Sequence, residues 1–309
     1  MIELNKITLV EFLKNISFPS HINNTANTFH PLLLAQDKEN TLLLIDGYKR
    51  IQFYKKQKIQ KAPCSIVEKL DYENCEKLLL CYIKYNIVRG INDIEISNII
   101  IFAENFLKSP KIIKNIFSYL NLKYSEKSIK YFKNINKLTT QCKLSLINNS
   151  LNRKSAVIIS ELTSVDQELF LKLFLNMKLN GNKQKKICDM ILDLAKRDDK
   201  SPCYIIRNYF PEFLSTNFSK EKETEFFEKL LKLHSPHYFC FNEKFKRFKK
   251  EFLKNGTGFN LYSPSGFEDS TYKMEIFFKD INELQEKLHQ LNKRTERLKE
   301  KDEFKELFQ

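Results

Sequence analysis

Between Ile94 and Leu194, apolar residues return every three or four positions in four blocks: Ile94–Leu107, Ile112–Leu120, Val165–Leu179 and Ile187–Leu194. That spacing lays a single apolar stripe along an α-helix and would scatter over both faces of a strand. The breaks between blocks are short and polar: Ser109–Pro110, Asn121–Lys123, Asn180–Gly181 and Ser201–Pro202. Residues 91–215 are therefore expected to be helical almost throughout.

The flanks read differently, and the expected fold class is α+β. In residues 1–90, Pro31–Gln36 and Thr41–Ile45 predict two strands joined by the polar turn Asp37–Asn40. A short helix over Tyr48–Lys58, a third strand over Ala62–Val67 and a leucine-rich helix over Asn74–Val88 complete a small α/β domain. Residues 216–309 predict two charged amphipathic helices near 219–233 and 242–254, then the loop NGTGFNLYSPSGFEDS. A half-buried strand over Tyr272–Lys279 and a last helix near 280–300 follow. That helix carries Ile281, Leu284, Leu288 and Leu291 on one stripe, fit either to pack on the neighbouring strand or to pair with a second copy.

Composition excludes several classes. The chain is 42% hydrophobic and 29% charged, which fits a packed globular protein rather than a disordered one. Apolar runs such as Ile99–Phe102 are far too short to span a membrane, and MIELNKITLVEFLKNI has no signal-peptide pattern. Seven scattered cysteines predict reduced thiols and a cytoplasmic location, nucleoid-associated if the chain binds DNA.

The net charge of +14 is concentrated. Eleven Lys or Arg face one acid, Glu126, between Leu107 and Lys154, whereas Ser65–Phe106 holds seven acids and four bases. Such a segment suits a polyanion, with nucleic acid the leading candidate and a solvated lysine face the alternative. Inside it, near 111–134, KIIKNIFSYLNLKYSEKSIKYFKNIN reads as two short helices around a turn at 121–124. Ser125 would cap the second helix, and Ile129 and Phe132 would pack inward. Lys123, Ser125, Lys127, Ser128, Lys130, Tyr131 and Lys133 then form the candidate DNA-binding set. The lysines would meet phosphate, and Ser128 and Tyr131 base edges. Two amphipathic helices with a short turn also occur in any helical bundle.

HPLLLAQDKENTLLLIDGYKRIQFYKKQKIQKAPCSIVE resembles the N-terminal domain of the ParB/sulfiredoxin superfamily: an apolar strand after proline, a strand ending in D-G-x-x-R, a helix, then a P-x-x-V strand. YNIVRGINDIEISNIIIFAENF resembles the asparagine-x-x-arginine motif of ParB partition proteins and the helix leading into their DNA-binding domain. KLSLINNSLNRKSAVIISEL and VDQELFLKLFLNMKLNGNKQKKICDMIL continue the same order, so the resemblance covers residues 25–197. It implies a nucleotide, CTP in ParB proteins, held by Gly47, Lys49 and Arg50, with Asn86 and Arg89 closing over it. It also implies DNA, a partition ATPase and a second copy of the chain as partners, in plasmid or chromosome partition or related DNA regulation.

The motif makes physical sense: glycine permits a tight turn and close backbone approach, a helix amino terminus offers amides to phosphate, and arginine adds a fork of donors. Two departures stand out. Tyr48 replaces the glutamate of the family's G-E-R-R, and Tyr85 replaces the glutamate that helps hold magnesium, so Mg2+ and CTP hydrolysis lose their usual ligands. Tyr48 also stands where a sulfiredoxin has its cysteine. An enzyme of the same superfamily, transferring or hydrolysing phosphoryl groups, and a non-specific nucleic-acid module with a vestigial pocket are the alternatives. No catalytic residue is assigned. His234, His237 and Cys240 have a spacing a metal could use, but no fourth ligand lies nearby, and no metal is expected.

Overall fold

The computed structural model describes residues 1–18, 30–70, 74–88, 90–215, 219–253, 258–264, 271–299 and 307. The protein is α+β and divides into two compact units, residues 1–189 and 190–309.

The first unit is built on a four-stranded sheet of β2 (Ile7–Leu9), β4 (Leu42–Asp46), β3 (Leu32–Gln36) and β6 (Cys64–Lys69), in that order. β3 and β4 are antiparallel, while β2 runs parallel to β4 and β6 parallel to β3. The turn from β3 to β4 is local chemistry: the Asp37 carboxylate accepts the amides of Glu39 (3.0 Å) and Thr41 (2.7 Å), and Asn40 takes φ 66°. Three consecutive residues of β4, Leu43, Leu44 and Ile45, are fully buried, so both faces of the sheet are covered. Helices α1 (Glu11–Ile16), α2 (Tyr48–Lys56) and α3 (Cys75–Asn86) bury Leu13, Ile16, Ile51, Leu79 and Tyr82.

Sequence periodicity missed the amino terminus, where β1 (Ile2–Glu3), β2 and α1 are too short to show a repeat. The single strand expected over Ala62–Val67 is two. Pro63 has no amide to donate, and β5 (Lys61–Ala62) pairs with β1 while β6 pairs with β3.

Helix α4 (Asp93–Phe102) is largely apolar and mostly buried, with the polar Glu95 and Ser97 buried alongside Ile94, Ile96, Ile99 and Ile100. The α-helix expected to reach Leu107 ends at Phe102 and continues as one π-turn, Ala103–Leu107, closed by the Lys108 amide on the Ala103 carbonyl. Next come α5 (Pro110–Tyr119), α6 (Glu126–Asn136), α7 (Thr140–Ile147), α8 (Arg153–Ile159), α9 (Ser164–Asn176) and α10 (Gly181–Arg197), within which the unit boundary falls. All seven cysteines are free thiols, and burial pushes Cys81 and Cys188 up to about 12.

The second unit adds α11 (Pro202–Tyr209), α12 (Lys220–His234), α13 (Pro236–Phe252) and α14 (Ile281–Lys299). An antiparallel pair, β7 (Phe259–Tyr262) and β8 (Lys273–Ile276), lies between α13 and α14 in sequence. β7 corrects the loop expected over NGTGFNLYSPSGFEDS: FNLY is too short for a periodic signal, yet Phe259 and Leu261 enter a core with Phe245, Phe248, Phe252 and Leu291. On α14 Leu291 is buried, whereas Ile281 and Leu288 are exposed.

Candidate nucleic-acid interface

The α5–α6 pair is positioned from within. Ile113, Ile116 and Phe117 of α5 are buried, and Phe117 meets Tyr124 and Phe132 edge-on at 5.4 and 6.0 Å between ring centroids. The turn lacks glycine, and Asn121 supplies the left-handed residue instead (φ 53°), a conformation asparagine tolerates. Ser125 caps α6 by accepting the Ser128 amide at 3.1 Å, and Ser128 Oγ lies 2.8 Å from Ser125 Oγ. Helix α6 packs against α4, where Ser97 donates to the Phe132 carbonyl at 2.6 Å.

This packing sorts the candidate residues into two groups. Lys123, Lys127 and Lys130 are exposed, as are Lys108, Lys111, Lys114 and Lys137, and none forms an ion pair with a described residue. Tyr131 and Lys133 belong instead to the fold. The Tyr131 hydroxyl donates to Asp93 Oδ2 at 2.6 Å, and Arg153 holds Asp93 Oδ1 at 2.9 Å. Burial, and then this bond, raise the Tyr131 pKa far above the usual phenol range. Lys133 pairs with Glu104 of the π-turn at 2.5 Å. Lys143, on α7, is half-buried, and burial lowers its pKa. Sequence spacing alone could not separate these groups, because the partners Asp93 and Glu104 lie 38 and 29 positions away.

Of the nucleotide candidates, Gly47, Lys49 and Arg50 lie where β4 gives way to α2. Gly47 sits at φ 109° before α2, and an added Cβ would lie 2.5 Å from Leu32 Cδ2. Arg50 donates to the carbonyls of His30 (2.7 Å) and Pro31 (2.8 Å) and to Asp46 Oδ2 (2.7 Å). Its fork thus clasps the entry to β3 against the exit of β4. Tyr48 is buried, and its hydroxyl bonds to the carbonyls of Leu44 (2.7 Å) and Val10 (3.1 Å). Lys49 is exposed, whereas Asn86 is buried with its amide on the Tyr82 carbonyl at 2.9 Å; Arg89 lies outside the described residues. Tyr85 reaches the Val67 carbonyl at 3.4 Å.

Elsewhere in the first unit, a cavity of about 460 Å³ is lined by Asn92, Asn152, Asn180 and Gln184 with Leu146 and Leu151. Gln184 is fixed in this lining, accepting the Asn152 amide (2.9 Å) and donating to the Ser150 and Leu179 carbonyls. In the second unit, His234 turns to Ser235 and Asp193, and among the described residues no cluster of His, Cys, Asp and Glu fit for a metal forms. Nor is any described helix long and apolar enough to cross a membrane.

No family model matches the sequence, and no curated protein does. Among solved structures, the chain is similar to the C-terminally truncated chromosome-partitioning protein ParB from Caulobacter crescentus, complexed to the centromeric parS site. The likeness has 13% sequence identity and a TM-score of 0.31, and covers 60% of this chain and 96% of that one.

Proposed function

We propose that the first unit binds DNA through the α5–α6 pair, in a partition-type or related regulatory role on DNA. The observation that carries this reading is the set of exposed lysines on and beside those two helices, free of carboxylate partners among the described residues. Cations left unpaired on a packed surface release bound counterions from a polyanion and gain affinity steeply at low salt. Tyr131 is already committed to Asp93 and Ser128 to Ser125. Contact with the phosphate backbone therefore dominates, and base-edge reading from α6 is weak.

Fluorescence anisotropy of a labelled duplex across a salt series tests this. The logarithm of affinity should fall linearly with the logarithm of salt, and Lys123→Ala/Lys127→Ala/Lys130→Ala should flatten the slope. An unchanged slope in that variant would remove the interface from α6.

For nucleotide control, the Gly47 turn offers the amino terminus of α2, whose N-cap residue, Gly47, has no side chain to cap it. A phosphate drawing on Arg50 must take it from Asp46, so we propose binding coupled to opening of that clasp. Calorimetric titration with CTP, ATP and GTP, with and without DNA, tests it; no heat with any of the three would retire the reading.

A further inference from the structure

Three aromatic rings of the first unit form a ladder that runs out to solvent. Phe12 of α1 stacks on Phe102 at the end of α4 with centroids 4.4 Å apart and planes 9° from parallel. Phe102 stacks in turn on Phe106 of the π-turn at 5.0 Å and 23°. The first two rings are half-buried, but Phe106 is 72% exposed. Isolated exposed apolar side chains are ordinary on protein surfaces. Phe106 differs because it is the outer rung of a stack, held flat by the rings beneath it.

The chemistry around that rung is cationic. Lys108 and Lys111 follow within five positions, both exposed and without an ion pair to a described residue. The Glu104–Lys133 bridge ties the π-turn to α6, on which Lys130 lies one turn before Lys133, while Lys137 follows at the C-cap of the helix. An exposed aromatic ring on a segment tied to helices that carry exposed lysines fits one class of ligand: a polyanion that also carries flat apolar rings. Duplex DNA keeps those rings inside its stack, whereas a single strand presents them. The lysines supply the backbone contacts, and the free face of Phe106 continues the protein's stack into a base.

We propose that Phe106 is a base-stacking residue, the terminal rung on which an unstacked base of single-stranded DNA lies while its phosphates follow the lysines of α5 and α6. This rests on the nucleic-acid reading of that surface and adds a preference for unpaired bases that lysines alone would not give.

The test uses the full chain and two labelled oligonucleotides: a single strand, and the same backbone with abasic sites in place of its bases. The wild type should bind the base-bearing strand about five- to 150-fold more tightly, the range set by stacking of one base on an aromatic ring. Phe106→Ala should abolish that preference and leave abasic binding unchanged, and Phe106→Tyr should retain it. Lys127→Ala/Lys130→Ala should weaken both strands alike. If Phe106→Ala keeps the wild-type preference, the stacking role is overturned while DNA binding stands. If the wild type binds neither strand nor duplex, the nucleic-acid reading falls and the stacking role with it.

Discussion

Arg50 and Lys127 are both cations just inside the amino terminus of a short helix, yet they do opposite things. Arg50 has three oxygen partners within 2.8 Å and is a fastening of the sheet. Lys127 is exposed, with no ion pair to a described residue. The same contrast holds inside α6, between Tyr131 and Lys130, which are adjacent in sequence. Cationic character in a motif thus says little about binding until the internal acceptors have been assigned. A charge already neutralised holds the fold, and one left open is available to a ligand.

Stability measurements can break or sharpen that contrast. The largest loss is expected for Gly47→Ala. Its left-handed conformation and the overlap with Leu32 together should cost about 2–4 kcal/mol in urea unfolding, and a wild-type midpoint would show that the turn relaxes freely. Arg50→Ala comes next, at about 2 kcal/mol, because Asp46 and two carbonyls lose their donor. Arg50→Lys should recover only part of it, since an ammonium lacks the planar fork. If Arg50→Ala unfolds like the wild type, the clasp is not structural and the residue is free for a ligand after all. Tyr131→Phe should cost about 1 kcal/mol, with Arg153 still holding Asp93.

The smallest effect on stability belongs to Lys123→Ala/Lys127→Ala/Lys130→Ala, within about 0.5 kcal/mol of the wild type. It is also the variant expected to lower the salt slope of DNA binding, by about 0.9 for each phosphate that is no longer neutralised. A large drop in its melting temperature would show that these lysines serve the fold too.

Long periodic segments were legible in the sequence. The blocks over α5, α9 and α10, the Ser125 cap and the β3–β4 turn all follow from spacing and side-chain chemistry within a few residues. What escaped was short or distant. β1, β2 and β7 span two to four residues and carry no period. The split at Pro63 depends on which strand lies alongside each half. At the candidate interface the basic character was plain, but the division between open and committed residues required Asp93 and Glu104 to arrive from elsewhere in the chain. The exposed rung at Phe106 depended on a π-turn where the apolar spacing predicts continuous α-helix.

The Arg50 clasp also bears on how the chain reaches its fold. It joins residues 30–31 to 46–50, around a hairpin whose two strands are separated by only five residues. Structure of such low sequence separation closes early, before the parallel strands β2 and β6 can be recruited. Arg50 would then act in the folding nucleus. Its replacement by alanine should slow the refolding limb of a chevron plot more than it speeds the unfolding limb.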